Sequence, residues 1–265
     1  MSTFVHPTAL IDPKSNLDDE VKVGPYSIIG GQVKIGKGTI IGPQVLIEGW
    51  TRIGKRCTIG KGVIIGTLPQ DTNFEGKRSF VEIGDGNLIR EYTTIHRGSK
   101  AESVTRIGNE TFLMAYSHIA HNCIVEDEVV IANMGTLAGY VTLEKRVMIG
   151  GLSAIHQYVK VGAYSIVGGC SKVVKDVPPY TRADGHPATL WGLNTVGLRR
   201  ANFSPQKRQL LKRAYRILFR SGLNTSQAIR QIENELELIP EIRHLCQFIK
   251  NSERGICKEK RNAAL

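Results

Sequence analysis

Residues 23–65 read VGPYSI IGGQVK IGKGTI IGPQVL IEGWTR IGKRCT IGKGVI I, and each group of six opens on valine or isoleucine. The frame runs on in both directions without slipping. Of 29 positions taken every sixth residue from Val5 to Val173, 26 hold valine, isoleucine or leucine, the exceptions being Asp71, Lys77 and Ala101. A short fixed period over most of a chain is the mark of a solenoid. Six fits neither the 3.6 of a helix nor the simple alternation of a strand. It fits a β-helix in which each hexad makes one flat side and one corner, and three hexads close a coil. Branched aliphatics suit an extended backbone and stack inward on their copies in the coils above and below. Glycine often follows them, as at Gly24, Gly36, Gly54 and Gly84. It is expected there to supply the positive φ of a corner. A further frame position mostly holds small residues such as Ser27, Thr39, Cys57 and Ser153, which argues for a narrow interior.

The 265 residues carry a formal net charge of +11, unevenly placed. Thr195 to Leu265 hold 15 lysines and arginines against 6 glutamates, a net of +9, which leaves +2 for the rest. A basic block favours an acidic partner (nucleic acid, an anionic membrane, an acidic protein or ligand) or is a solvated helical face. The five cysteines show no C-x-x-C spacing and read as buried thiols of a reducing compartment. With no signal peptide and no long apolar run, the chain reads as cytoplasmic.

The hexads predict a β-helix over 1–190, with an excursion near 67–80 and a shorter break around Ser99 to Thr105. Asp176-Val-Pro-Pro-Tyr180 ends the repeat, because two prolines cannot donate ladder hydrogen bonds. Residues 191–265 predict a helical domain. One helix starts at Ser204-Pro205 and stops at Gly222, a second follows Thr225 or Ser226, and a third begins at Pro240. Lys258 to Leu265 read as frayed. The helices are expected to cap the open end of the solenoid.

Four of the seven histidines, His96, His118, His121 and His156, lie in or beside the coils, none at the inward aliphatic position. An outward histidine can serve as a general base near neutrality; a surface histidine in a contact between copies is the alternative. His118 and His121 could contribute to a zinc site, but such a site needs three or four close ligands and no such set is evident.

At the level of the hexads the chain resembles the hexapeptide-repeat family, whose fold is a left-handed parallel β-helix and whose members form homotrimers with clefts between neighbours. A closer resemblance rests on motifs in order. They are Gly66, Pro69, Gln70, Asp71 and Gly76; IREYTTIHRG over 89–98; HIAHNC over 118–123; TLAG over 136–139; Gly150-Gly151 with Ile155-His156-Gln157; DVPPY over 176–180; and Gly192 to Asn194 with Gly197 to Arg200 and Phe203. With these the chain resembles the UDP-N-acetylglucosamine 3-O-acyltransferase family, whose reaction opens lipid A synthesis, over nearly its whole length.

The resemblance implies transfer of an acyl group, expected to be 3-hydroxy, from acyl carrier protein to the sugar 3-hydroxyl. By it His121 is the general base and Gly139 the oxyanion donor. Gln70, Asp71, His118, His156 and Gln157 contact substrate, Asn194 and Arg200 hold the nucleotide, and Gly169 leaves room for a long acyl chain. It implies a homotrimer and no cofactor, metal, nucleic acid or stable membrane insertion; the acidic carrier protein is a natural partner for the basic block. Four positions depart from the family pattern: Asn122 for aspartate, Tyr140 for histidine, Asn73 for lysine and Ala201 for arginine. They leave open a paralogue that acylates a UDP amino-sugar at nitrogen, or a non-catalytic scaffold.

Overall fold

Residues 2–259 are described in a computed structural model of the chain, and all counts refer to them. Most hexads form a strand of two residues, one outward and then the inward aliphatic, as in Lys22–Val23, Ile28–Ile29 and Lys34–Ile35. Equivalent strands of successive coils pair in parallel, Val23 with Ile41 and Ile29 with Ile47. Three sheets result, of 11, 9 and 8 strands, and they form the walls of a left-handed parallel β-helix. We call them the first, second and third walls, after Phe4–Val5, Leu10–Ile11 and Asn16–Leu17. The inward residues fill the prism: Ile47, Ile65, Ile95, Ile119 and Leu137 are all fully buried. Each such side chain contributes about 1.5–3 kcal/mol on burial.

The small residues at the other inward position do more than save space. Ser27 Oγ donates to Gly42 O (2.8 Å), Thr39 Oγ1 to Gly54 O (2.9 Å) and Ser153 Oγ to Gly168 O (2.8 Å). Cys123 Sγ reaches Ala138 O in the same way. Each of these four groups thus finds a carbonyl of the next coil.

The glycines that follow the aliphatics do not supply the positive φ expected of them, apart from Gly66. The left-handed residue lies two positions later, at Tyr26, Gln44, Arg56, Tyr92, Asn122, Tyr140 and Tyr158 among others. A Cβ on Gly24 would lie 2.7 Å from the Gly42 carbonyl carbon, and one on Gly36 the same distance from that of Gly54. Glycine here lets the backbones of adjacent coils approach.

The stack is left between Ile64–Thr67 and Phe80–Ile83, and again between Thr94–His96 and Val104–Ile107. Beyond Lys172–Val173 the chain forms an antiparallel hairpin of Thr181–Gly185 and Ala188–Leu193, which the sequence did not signal. Its first strand pairs with Ile166–Val167 and extends the first wall. Four helices follow: α1 (Thr195–Arg200), also unforeseen, α2 (Pro205–Arg220), α3 (Thr225–Glu235) and α4 (Pro240–Lys250). Ser204 Oγ accepts the Lys207 N–H and caps α2, and Asn224 with Gln227 forms a reciprocal capping box on α3. Tyr215 and Phe219 of α2 pack on the solenoid core and so close its end.

Two expectations fail. Lys258 and Glu259 are not frayed: Lys258 O accepts the Leu190 N–H (2.8 Å) and Glu259 pairs with Arg220 (2.6 Å). Residues 260–265 lie outside the described residues. Cys170 is exposed at a corner, whereas Cys57, Cys123, Cys246 and Cys257 are buried.

His244 of α4 ties the helices to the prism. Its Nε2 is 3.0 Å from Glu144 Oε2 and its Nδ1 is 2.9 Å from the Tyr180 hydroxyl. The hydrogen bond and charge of Glu144 raise the His244 pKa above the ordinary imidazole value, against the opposing effect of burial. A raised folded-state pKa gives stability that is fully present below the unfolded value, about 6.5, and is lost as pH rises through the folded one. Thermal melts of the wild type should therefore lose midpoint temperature between pH 6 and pH 8.5, and His244→Gln should flatten that loss.

Candidate active site

The corner between the second and third walls carries the histidines. Register aligns Thr94 with His118 and Thr136 on the outer surface, and Ile95 with Ile119 and Leu137 inside. His118 therefore faces out. Its Nδ1 is 2.8 Å from Thr94 Oγ1, and its ring packs edge-on to His96 at 5.2 Å. Burial, with a further contribution from His96, pushes the His118 pKa down to about 4, so the ring is neutral near pH 7. His96 Nδ1 lies 2.6 Å from Leu68 O, an atom that only accepts, so Nδ1 carries the proton and the ring pins the start of the first excursion.

His121 sits two residues past the inward Ile119, where the chain turns the corner, and is 7% exposed. Its Nδ1 is 3.0 Å from Asn122 Oδ1. The Ser99 backbone N–H, which can only donate, meets the same oxygen at 2.9 Å, and Ser99 Oγ lies 3.2 Å from it. That amide donor fixes which way Asn122 points. An oxygen facing the ring requires the proton on Nδ1 and leaves the lone pair on Nε2. Asn122 has φ +62°, a conformation that asparagine tolerates better than most residues. Tyr140 packs edge-on against the imidazole at 5.3 Å and stacks on Tyr158 at 4.8 Å.

Nε2 faces Gly139, where an added Cβ would lie 2.7 Å from Nε2 and 2.5 Å from Cε1. Only glycine leaves the ring in place. The Gly139 N–H has no hydrogen-bond partner among the described residues. Four equivalent N–H groups on the corner between the third and first walls are stoppered: Lys55 by Asp85, Asn109 by Asp127, Lys145 by Glu126 and Ala163 by Glu144. A free lone pair beside a free amide donor can move a proton and stabilise an oxyanion in one place.

Both groups line a cavity of about 800 Å³. It gathers six of the sequence-derived site residues: His121, Gly139, His118, Gln70, Asp71 and Gln157. Asp71 also shapes its loop, its Oδ1 accepting the Asn73 N–H and its carbonyl the Phe74 N–H, each at 3.0 Å. His156 is exposed, turned to the Gln157 carbonyl, and does not line the cavity. Asn194 and Arg200 line a different hollow of about 350 Å³, with Glu128, Arg146 and Tyr164. Asn194 also braces its surroundings, accepting from the Gly197 N–H and donating to Tyr164 O. Gly169 is exposed on the corner between the first and second walls, away from both hollows. Ser99 and Lys100, from the second break, join the cavity and were not singled out by sequence. Their signal was the break itself, which interrupts the coil next to His121. Among the described residues no group of three or more His, Cys, Asp or Glu side chains could hold a metal ion.

Known proteins resemble the chain in sequence and in structure. Residues 14–49, 32–67 and 105–139 match the model of bacterial transferase hexapeptide repeats, and residues 176–257 match that of UDP N-acetylglucosamine O-acyltransferase, domain 2. The acyl-[acyl-carrier-protein]--UDP-N-acetylglucosamine O-acyltransferase of Thermodesulfovibrio yellowstonii is 51% identical over 96% of this chain and 99% of its own length. That of Syntrophobacter fumaroxidans is 45% identical over 96% and 99%. Among solved structures, LpxA from Acinetobacter baumannii superposes with a TM-score of 0.93 at 43% identity, covering 96% of this chain and 100% of that one. With the repeats and the helical cap matched by family models and a relative 51% identical over 96% of its length, this chain belongs to the UDP-N-acetylglucosamine O-acyltransferase family.

Proposed function

We propose that this protein transfers a fatty acyl group from acyl carrier protein to the 3-hydroxyl of UDP-N-acetylglucosamine, the first step of lipid A biosynthesis. The observation that carries the mechanism is His121 Nε2 beside the Gly139 N–H, neither with a hydrogen-bond partner among the described residues. A sugar hydroxyl is a poor nucleophile until a placed base removes its proton. His121 Nε2 takes that proton as the oxygen attacks the thioester carbonyl. The Gly139 N–H donates to the resulting oxyanion. The carbon–sulfur bond then breaks, and the imidazolium returns the proton to the leaving thiolate. Asn122 holds the ring in the productive tautomer without adding charge. His118, kept neutral, offers Nε2 to the sugar rather than a cation. Gln70, Asp71 and Gln157 border the acceptor.

We further propose a homotrimer. Tyr26, Tyr92, Tyr116, Met134 and Leu152 form an exposed ridge on the corner between the first and second walls, from 42% to 65% accessible. The third wall instead presents Lys34, Arg52, Glu82 and Arg106 outward. An apolar edge opposite a charged wall fits contact between copies along that edge. The hollow with Asn194 and Arg200 lies on a different corner from His121, so the two can serve one nucleotide only across a subunit boundary. Gly169, on a third corner, would likewise act from a neighbour. Acidic carrier protein fits the cationic hollow of α2, lined by Arg208, Lys212, Arg213 and Arg216.

Purified protein with UDP-N-acetylglucosamine and acyl carrier protein thioesters should give an O-acyl product by mass spectrometry; strong preference for the 3-amino nucleotide would instead support the nitrogen acceptor. Gly139→Ala should lower kcat by about 10²-fold with the fold intact, because the main-chain N–H stays while the added methyl pushes the His121 ring out of place. Asn122→Asp should move the acid limb of kcat/KM to higher pH, because a carboxylate stabilises the imidazolium. His118→Gln should leave that limb in place, since His118 stays neutral down to about pH 4. Leu152→Arg should yield species smaller than a trimer in light scattering, with loss of activity. Lys212→Glu with Arg216→Glu should raise KM for the carrier thioester and spare that for the nucleotide.

A further inference from the structure

Arg97 stands one coil from His121 in the same column of the corner, since Ile95 aligns with Ile119. It is 9% exposed, and its Nε is buried without a hydrogen-bond partner among the described residues. Nothing in the acyl-transfer mechanism uses it. Its guanidinium lies 5.3 Å from the Trp50 ring centroid and 5.6 Å from that of Phe74. Trp50 belongs to the rigid stack, in the strand Trp50–Ile53, whereas Phe74 belongs to the excursion that carries Gln70 and Asp71. The seat is shaped for the guanidinium: at Gly49, φ +62°, a Cβ would lie 3.1 Å from Arg97 Nη1. The Arg97 backbone N–H donates to Thr67 O at 3.2 Å, so one residue touches both the root and the outer half of the loop.

We propose that Arg97 is a positioning residue, its guanidinium clamped between Trp50 and Phe74 so that the first excursion holds Gln70 and Asp71 over His121. A planar cation between two aromatic faces is attracted to both, and more strongly when shielded from water. The contact passes directly to the cavity, because the Phe74 N–H donates to the Asp71 carbonyl at 3.0 Å and the Asn73 N–H to the Asp71 carboxylate. Phe74 is thus fixed to the turn whose carboxylate borders the substrate. Its loss would let Asp71 drift while leaving His121, Asn122 and Gly139 untouched on the wall.

The kinetic part of the test rests on the acyl-transfer reading; hydrogen exchange of residues 68–79 does not, so the two can fail separately. Phe74→Leu and Arg97→Met should each raise exchange of that segment, and raise KM for the nucleotide, by about tenfold, with kcat changed less than about twofold. Arg97→Lys keeps the charge but not the planar stack and should fall between. Combining Phe74→Leu with Arg97→Met should be no worse than either alone, because both break one clamp. Phe74 lies on a half-exposed loop, so its variant decides the matter if Arg97→Met does not fold. Unchanged exchange in Phe74→Leu overturns the proposal whether or not the protein transfers acyl groups. A fall in kcat at constant KM, or fully additive effects, overturns it as well.

Discussion

The inward column of branched aliphatics is the constraint from which the rest follows. Val23, Ile41 and Ile59 line the first wall, and Ile29, Ile47 and Ile65 the second. Each side chain is buried only because its copies lie directly above and below it. That vertical alignment sets the register of the parallel ladders, and the register puts Thr94, His118 and Thr136 in one outward row. A slip of one residue would turn that row inside. The hydroxyls of Ser27, Thr39 and Ser153 add a tie to the coil above, independent of the main-chain ladder. The walls are thus braced twice, by the main-chain ladder and by these hydroxyls.

The His121 ring is aligned through Asn122 Oδ1, which accepts from the ring and from the backbone. Ser99 N–H fixes Asn122, and Asn122 fixes the tautomer of His121. The neutral amide gives orientation and leaves out the electrostatic help a carboxylate would lend the imidazolium. The Tyr140–Tyr158 stack bounds the ring on one side, and Gly139 leaves the opening that a methyl group would fill. On the proposed mechanism, the rate contributed here comes from placement and from the Gly139 N–H.

The repeat, its two breaks and the starts of α2 and α4 were legible because each depends on residues close in sequence: the six-residue period, the turn formers after Gly66, Ser204-Pro205 and Pro240. The role of the glycines was misread because it depends on the neighbouring coil, 18 residues or more away, which local φ preference does not show. The hairpin of 181–193 has no six-residue period and owes its place to the open edge of the first wall. Ser99 was invisible as a contributor, since the atom that matters is its main-chain nitrogen. His156 and Gln157 differ by one position at a corner, which is enough to put one in the cavity and the other outside. Lys258 and Glu259 look like a solvated tail until Leu190 and Arg220 are brought beside them.

The unstoppered amide of Gly139 says something about how such an enzyme arises. Corner geometry leaves this nitrogen without a ladder partner, and acidic side chains occupy its counterparts at Lys55, Asn109, Lys145 and Ala163. An amide of this kind is therefore a by-product the scaffold generates anyway, and the proposed use of it for an oxyanion sacrifices no bond on which folding relies. Chemistry needed only an unplugged turn and a ring parked next to it, which a tandem architecture can offer at many heights along its axis.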